Sequence, residues 1–289
     1  MPILSFAALC LIWGTTWLAI KIGLQDFPPV LSAGGRFLVA ALFLFVILKL
    51  KQVATPEDWE QYRYPAIFGV FNGLNYGLIY LGEQHISSSL TAILNTSLPF
   101  FSTLMGYYML REEIGLKKVA ALLLGFIGVI VVFSSNLGSG SAASLWGQGA
   151  IILAATLYSF GSVLLKKHQG SPDPLWSVTV QMGVSAGVLL VVGIPLEWGS
   201  AFRLTMPGIV SFLYLAIFGS AIAFLLYNNL LKMWEISRVS YINLITPLIA
   251  SLAGVLWYAE PFNLRLGVGF VLVLAGVVLV NLPSICHKE

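Results

Sequence analysis

Charge is what this sequence has least of. Asp, Glu, Lys and Arg make up 9% of its 289 residues, where a soluble domain carries about 25%. So few ionic groups cannot build a water-facing surface, which excludes an ordinary soluble protein. Metal-binding residues are equally sparse. Cys10 and Cys286 form no C-x-x-C, and His85, His168 and His287 are scattered, so no metal site is expected. Cys10 follows Leu9, where a lipoprotein site would need a small residue, so both thiols read as small apolar side chains. The G-x-S-x-G, H-E-x-x-H and P-loop patterns are missing as well. No cofactor or enzymatic reaction is expected, and any transport must draw on gradients rather than ATP. No cleavable leader is expected either, because the first apolar run has no basic segment before it.

What is abundant is apolar surface, at 58% of residues. Stretches of about 20 apolar residues, enough to cross about 30 Å of hydrocarbon, fall near 3–22, 29–48, 65–82, 87–110, 117–135, 146–166, 174–195, 208–231, 236–258 and 263–282. The expected fold is an all-α integral membrane protein with ten transmembrane helices, placed in the cell membrane with the lipid bilayer as a constant partner.

Two shifts superpose the chain on itself. A shift of 148 sets Asn95 on Asn243, Pro99 on Pro247, Gly106 on Gly254, Glu112 on Glu260 and Gly128 on Gly276. A shift of 145 sets Trp13 on Tyr158, Lys21 on Lys166, Pro29 on Pro174 and Arg36 on Gln181. The chain reads as a tandem duplication, residues 1–137 and 146–285, joined by a short linker at 138–145. Five spans per copy is an odd number, so the second copy enters the membrane from the opposite side and the two five-helix repeats are inverted. Charge placement agrees. With a cytoplasmic N-terminus, 11 of the 15 Lys and Arg residues lie on inner loops and 3 on outer loops, the bias that sets orientation. Both termini are therefore expected in the cytoplasm. The formal charge of +3 reports topology, and no nucleic acid partner is implied.

Candidate site residues follow from polarity at membrane depth. Asn72, Asn75, Tyr76, Ile79, Tyr80 and Glu83 share one face of the third span. Such a stripe must face protein or a water-filled cavity, because an unpaired amide in hydrocarbon costs several kcal/mol. Ser220, Phe224, Tyr227 and Asn228 form the matching stripe of the second half. Gly69, Gly73 and Gly77 make a separate ridge suited to close helix packing. Pro99 and Pro247 each follow an asparagine, Asn95 and Asn243, by four residues and free its carbonyl. The prolines are candidates for kinks or gates, and the asparagines for ligand contact or backbone repair. Arg36 is the only basic residue well inside a span, which marks it for function. It could meet a substrate carboxylate, pair with Glu83, or snorkel to the headgroups. Trp13 and Trp17, with their mates Tyr158 and Ser162, are candidates to line a cavity where rings sandwich a substrate. Gln181, the mate of Arg36, completes the set. Span one has no Asp or Glu before Asp26, which argues against a proton-coupled exporter of cationic drugs, although Glu83 stays available.

Trp13-Gly14, Arg36-Phe37, and Leu90-Thr-Ala-Ile-Leu-Asn95 leading through Pro99 to Leu110-Arg-Glu112 resemble the drug/metabolite transporter superfamily, specifically its EamA type. Asn243, Pro247 and Tyr258-Ala-Glu260 repeat the pattern in the second half. The resemblance implies ten helices in two inverted repeats around a central cavity that opens alternately to either side. It implies a secondary active transporter, an exporter or exchanger of small metabolites such as amino acids. The alternatives are a flippase for a lipid-linked substrate and a membrane receptor or enzyme that transports nothing. Nothing in the sequence fixes the oligomeric state, and a monomer would suffice. Tyr158-Ser159 in place of Trp-Gly, and Gln181 in place of the arginine, put a strictly symmetric site in doubt.

Overall fold

A computed structural model describes residues 2–55, 58, 60–86, 91, 94–133, 142–168, 173–258 and 264–281. The helices are α1 (Pro2–Gly23), α2 (Pro29–Leu50), α3 (Glu60–Gly82), α4 (Leu98–Leu110), α5 (Leu116–Phe133), α6 (Ala142–Lys167), α7 (Pro174–Leu196), α8 (Met206–Met233), the short α9 (Ile236–Ser240), α10 (Ile242–Tyr258) and α11 (Leu264–Asn281). There is no strand among the described residues. Five helices, α1, α2, α6, α7 and α8, are each long and apolar enough to cross a membrane, and Ile236–Ala250 and Gly267–Gly276 are shorter apolar stretches. The protein is a multi-pass membrane protein. Its exterior is apolar accordingly: α2 exposes Leu38, Leu42, Phe45 and Val46 while burying Arg36, Phe37, Ala40 and Leu44.

Local sequence sets the helix starts. Pro29 opens α2, where its missing N–H costs nothing. Asp173 caps α7 by accepting from Leu175 N at 2.8 Å, and Thr205 caps α8 by accepting from Gly208 N at 3.1 Å. The start of α2 is capped from a distance. The Glu197 carboxylate, at the end of α7, accepts from Val30 N at 2.9 Å and Leu31 N at 2.8 Å, where the helix dipole favours negative charge.

Helices pack in matched pairs. α1 lies on α8 and α10, and its mate α6 lies on α3 and α4. α2 lies on its own mate α7, and α5 on its own mate α11. Small residues permit these approaches. A Cβ on Gly69 would stand 2.8 Å from Gln181 O of α7. Gly128 and its mate Gly276 make reciprocal contacts between α5 and α11, where a Cβ would lie 2.8 Å from Gly269 O or 2.7 Å from Ala121 O.

The asparagine–proline pairs differ in detail. Ahead of Pro99, Thr96 and Ser97 form a turn, and Ser97 N bonds back to Leu94 O at 3.0 Å. The helix is interrupted there, so Asn95 stands just before α4. In the second half the turn comes at Tyr241, and α10 runs on through Pro247. Of the expected linker, residues 138–141 lie outside the described residues, as do Leu90 and the Ala-Glu260 of the second-half motif.

Candidate functional site: a central cavity

A cavity of about 60 Å³ lies between the halves. Trp13, Thr16, Trp17 and Ile20 line it from α1, Asn75, Tyr76 and Ile79 from α3, and Asn95 and Leu98 from the start of α4. Tyr158 of α6 and Asn243 and Thr246 of α10 close the ring. At about 10–15 Å³ of such volume per water, it holds a few waters in this conformation.

Its aromatic wall is fixed from behind. The Trp13 ring packs on Phe224 at 5.7 Å and Tyr227 at 5.6 Å, and its Nε1 donates to Gly219 O at 3.3 Å. That carbonyl is available because residues 215–222 form a π-helical stretch in which Ala223 N bonds to Phe218 O. π-Turns often mark functional places. A Cβ at Gly219 would come within 2.9 Å of Thr16 Cγ2, so only glycine lets α1 approach here. Tyr158 packs on Phe68 at 5.5 Å and Tyr227 at 5.9 Å.

The polar lining is left open by the protein. Asn75 Oδ1, Asn95 Oδ1 and Tyr158 Oη are buried with no hydrogen-bond partner in the protein. Each would cost roughly 1–3 kcal/mol if it stayed unpaired. Three such atoms in one cavity suit a polar solute or water.

Arg36 lies directly behind this wall. It is 1% exposed and is the largest fully buried side chain among the described residues. Its guanidinium sits 4.6 Å from the Tyr76 ring centre and 4.8 Å from that of Phe37. Its Nη1 donates to Tyr80 Oη at 3.3 Å, and its Nε has no partner. Its burial rules out snorkelling here. The alternative pairing with Glu83 is not formed either, since neither residue takes part in an ion pair between described residues. Arg36 is thus a buried cation with no carboxylate at hand, held one ring away from the cavity.

These features belong to a known kind of protein. The EamA-like transporter family matches residues 1–134 and 145–282. The chain belongs to that family. This transporter is 30% identical over 99% of its length to the uncharacterized transporter YvbV of Bacillus subtilis, and the match covers 93% of that protein. It is 28% identical to the chloroplastic WAT1-related protein At3g02690 of Arabidopsis thaliana, with 94% of this chain and 67% of the relative covered. With the uncharacterized inner membrane transporter YedA of Escherichia coli K12 it shares 27% identity, over 86% of this chain and 79% of the relative. A solved crystal structure superposes with a TM-score of 0.83 at 18% identity, covering 97% of this chain and 98% of its own, and so shares the fold.

The structure sorts the transporter's expected site residues into three groups. Trp13, Trp17, Asn75, Tyr76, Asn95, Tyr158 and Asn243 meet at the cavity. Asn72, Ser162, Gln181, Tyr227 and Asn228 bond to neighbours instead. Asn72 Nδ2 donates to Ser185 Oγ at 2.9 Å, Tyr227 Oη donates to Ser162 Oγ at 2.9 Å, and Gln181 and Asn228 bond to each other. Arg36 and Tyr80 stand behind Tyr76. Thr16, Ile20, Leu98 and Thr246 line the cavity without having been singled out. Thr16 and Ile20 lie three and seven residues from Trp13, and Thr246 lies three from Asn243, so helical spacing carried the signal.

Among the described residues, the end of the bundle remote from Glu197 is bolted. Glu112, just after α4, accepts from Ile236 N at 2.7 Å and Ser237 Oγ at 2.9 Å, and lies 3.5 Å from Lys166 Nζ. Lys166 also donates to Trp234 O. This joins the first half to the second at the end where α4, α6 and α8 finish.

Proposed function

We propose that this chain is a secondary active transporter, an exporter or exchanger of small metabolites that carry an anionic or zwitterionic group. It works by alternating access around the central cavity. Ten spans form two inverted repeats, residues 1–137 and 146–285, with both termini in the cytoplasm. The matched packing of α1 and α6, and of α2 with α7, supports that arrangement, as does the concentration of Lys and Arg on the inner loops. The Glu112–Lys166 bolt is the closed inner gate.

The observation that carries the reading is the orphaned polar set: Asn75, Asn95 and Tyr158 on the cavity wall and an uncompensated Arg36 behind it. Other buried polar atoms lack a partner too, Asn72 Oδ1 among them, but Asn75, Asn95 and Tyr158 share one cavity wall. A transported solute satisfies them in passing, with Trp13 and Trp17 stacking on its apolar part. Uptake by proteoliposomes of a broad metabolite panel, beside a thermal-shift screen at two pH values, tests this. Accumulation or stabilisation by at least one anionic or zwitterionic solute is expected. If none in the panel is moved or stabilises the purified protein, the reading fails.

A further inference from the structure

Arg36 and Glu83 are two buried groups of opposite formal charge that are not joined. Glu83 follows Tyr80 by three residues, so the two lie on one side of α3 at its end. Glu83 Oε1 is buried without a hydrogen-bond partner, and so is Arg36 Nε. The Tyr80 phenol accepts from Arg36 Nη1 at 3.3 Å. Tyr80, a residue that Arg36 does contact, stands one helical turn before the carboxyl that would neutralise that cation.

Among the described residues, no ion pair joins Glu83 to any cation. On its own element the titratable neighbours are Tyr76, Tyr80 and His85, and His85 packs edge-on against Trp146 at 5.3 Å. The start of α6, which meets Gly82 through Gly147, Ala150 and Ile151, has no ionisable side chain. Across α2 stands Glu197, already bound to two backbone amides. Asp26, which bonds Thr205, and Arg203 line the outer cleft that Gln84 enters. Burial pushes the Glu83 carboxyl up to about 7. An ionised carboxylate here would need a partner, and the one cation close behind Tyr80 is Arg36.

We propose that Glu83 is the binding site of a coupling proton, and that Glu83 and the anionic group of the substrate compete for Arg36. This rests on the transporter reading and deepens it. While Glu83 holds a proton it is neutral, and Arg36 is free to accept a carboxylate entering past Tyr76. When the proton leaves to water, the Glu83 carboxylate turns onto Arg36 and excludes the solute. Proton and anion therefore load together and cross in the same direction, so that export down the solute's own gradient carries a proton out and an inward proton gradient drives uptake. No covalent bond changes, and the proton moves between water and a Glu83 oxygen. Linkage makes the coupling reciprocal: the factor by which a proton favours the anion is the factor by which the anion favours the proton.

The test uses the full chain in proteoliposomes with pyruvate, succinate and L-phenylalanine as probes, and a pH dye in the lumen. Exchange of at least one probe should rise roughly tenfold, a typical coupling factor, as the pH falls from about 8 to about 6, with protons entering alongside net uptake. Glu83→Gln, a fixed mimic of the protonated form, should hold exchange near its low-pH level throughout and abolish proton movement. Exchange that is equal at both pH values in the wild type, or a Glu83→Gln variant with an intact pH response, overturns the proposal. Should that variant fail to insert, wild-type uptake without proton entry also overturns it. If none of the three probes moves, the broad metabolite panel decides the transporter reading, and infrared difference spectra decide the proton site separately. A buried-carboxyl band that titrates near neutrality and disappears in Glu83→Gln supports the site, and its absence overturns it.

Discussion

Arg36 and Gln181 hold the same place in the two halves, and each donates to the counterpart of the other's partner. Arg36 Nη1 reaches Tyr80 Oη at 3.3 Å, and Gln181 Nε2 reaches Asn228 Oδ1 at 3.0 Å. Tyr80 and Asn228 are themselves mates under the 148 shift. From there the sites diverge. Gln181 also donates to Ser177 Oγ at 2.9 Å and accepts from Asn228 Nδ2 at 3.2 Å, so its whole amide is used. Arg36 keeps a buried, unpartnered Nε and two ring faces. One copy has sealed its polar contact, and the other has left it open. A satisfied polar site holds helices together, whereas an open one at membrane depth marks where outside chemistry can enter.

The largest test of this contrast is Arg36→Gln, which makes the two halves alike. Transport of anionic or zwitterionic probes should fall on the order of a hundredfold or more, as for loss of one member of a buried charged pair. Gel-filtration elution in detergent should not change. Failure to insert would instead give Arg36 a structural role and break the comparison.

Next in size is a pH dependence that only the first half can have, since the mate of Glu83 is the buried Leu231. Glu83 is held up at about 7, above its ordinary value of about 4.3. The folded protein therefore keeps a proton that the unfolded chain gives up. The associated stability is complete below about pH 4 and is lost as pH rises through about 7. The melting temperature should fall across that window, and Glu83→Gln should flatten the slope.

Gln181→Leu should do the reverse of Arg36→Gln. Stranding Asn228 should cost about 1–3 kcal/mol, read as a lower melting temperature with probe exchange retained at permissive temperature. The smallest effect belongs to Asn75→Ala. Removing an open cavity acceptor should weaken probe binding by several-fold, about 1 kcal/mol, and leave melting nearly unchanged. Equal exchange kinetics in Asn75→Ala and wild type would move the binding surface elsewhere.

Much of the cavity was legible because helical spacing projects residues onto faces. Asn75, Tyr76 and Ile79 follow from one stripe, and Trp13 and Trp17 from another. Spacing does not say which neighbour a face meets. Asn72 belongs to the same stripe as Asn75, yet it turns to Ser185, a partner 113 residues away. Arg36 was readable as exceptional, but that it contacts Tyr80 and makes no ion pair with Glu83 depends on how α2 meets the end of α3. The π-helical stretch of α8 had no signal in the letters. It arises where Gly219 lets α1 close in and Trp13 takes the carbonyl that the altered backbone bonding releases.

The sequence by itself determined that this is a helical membrane protein with a few polar residues at membrane depth. Composition and periodicity act along the chain, and hydrocarbon admits few other outcomes. Which of those polar residues would bond to one another, and which would line the cavity without a partner, was decided only by the tertiary structure. That choice depends on contacts such as Gln181 with Asn228, 47 residues apart, and no local pattern encodes whether such partners meet.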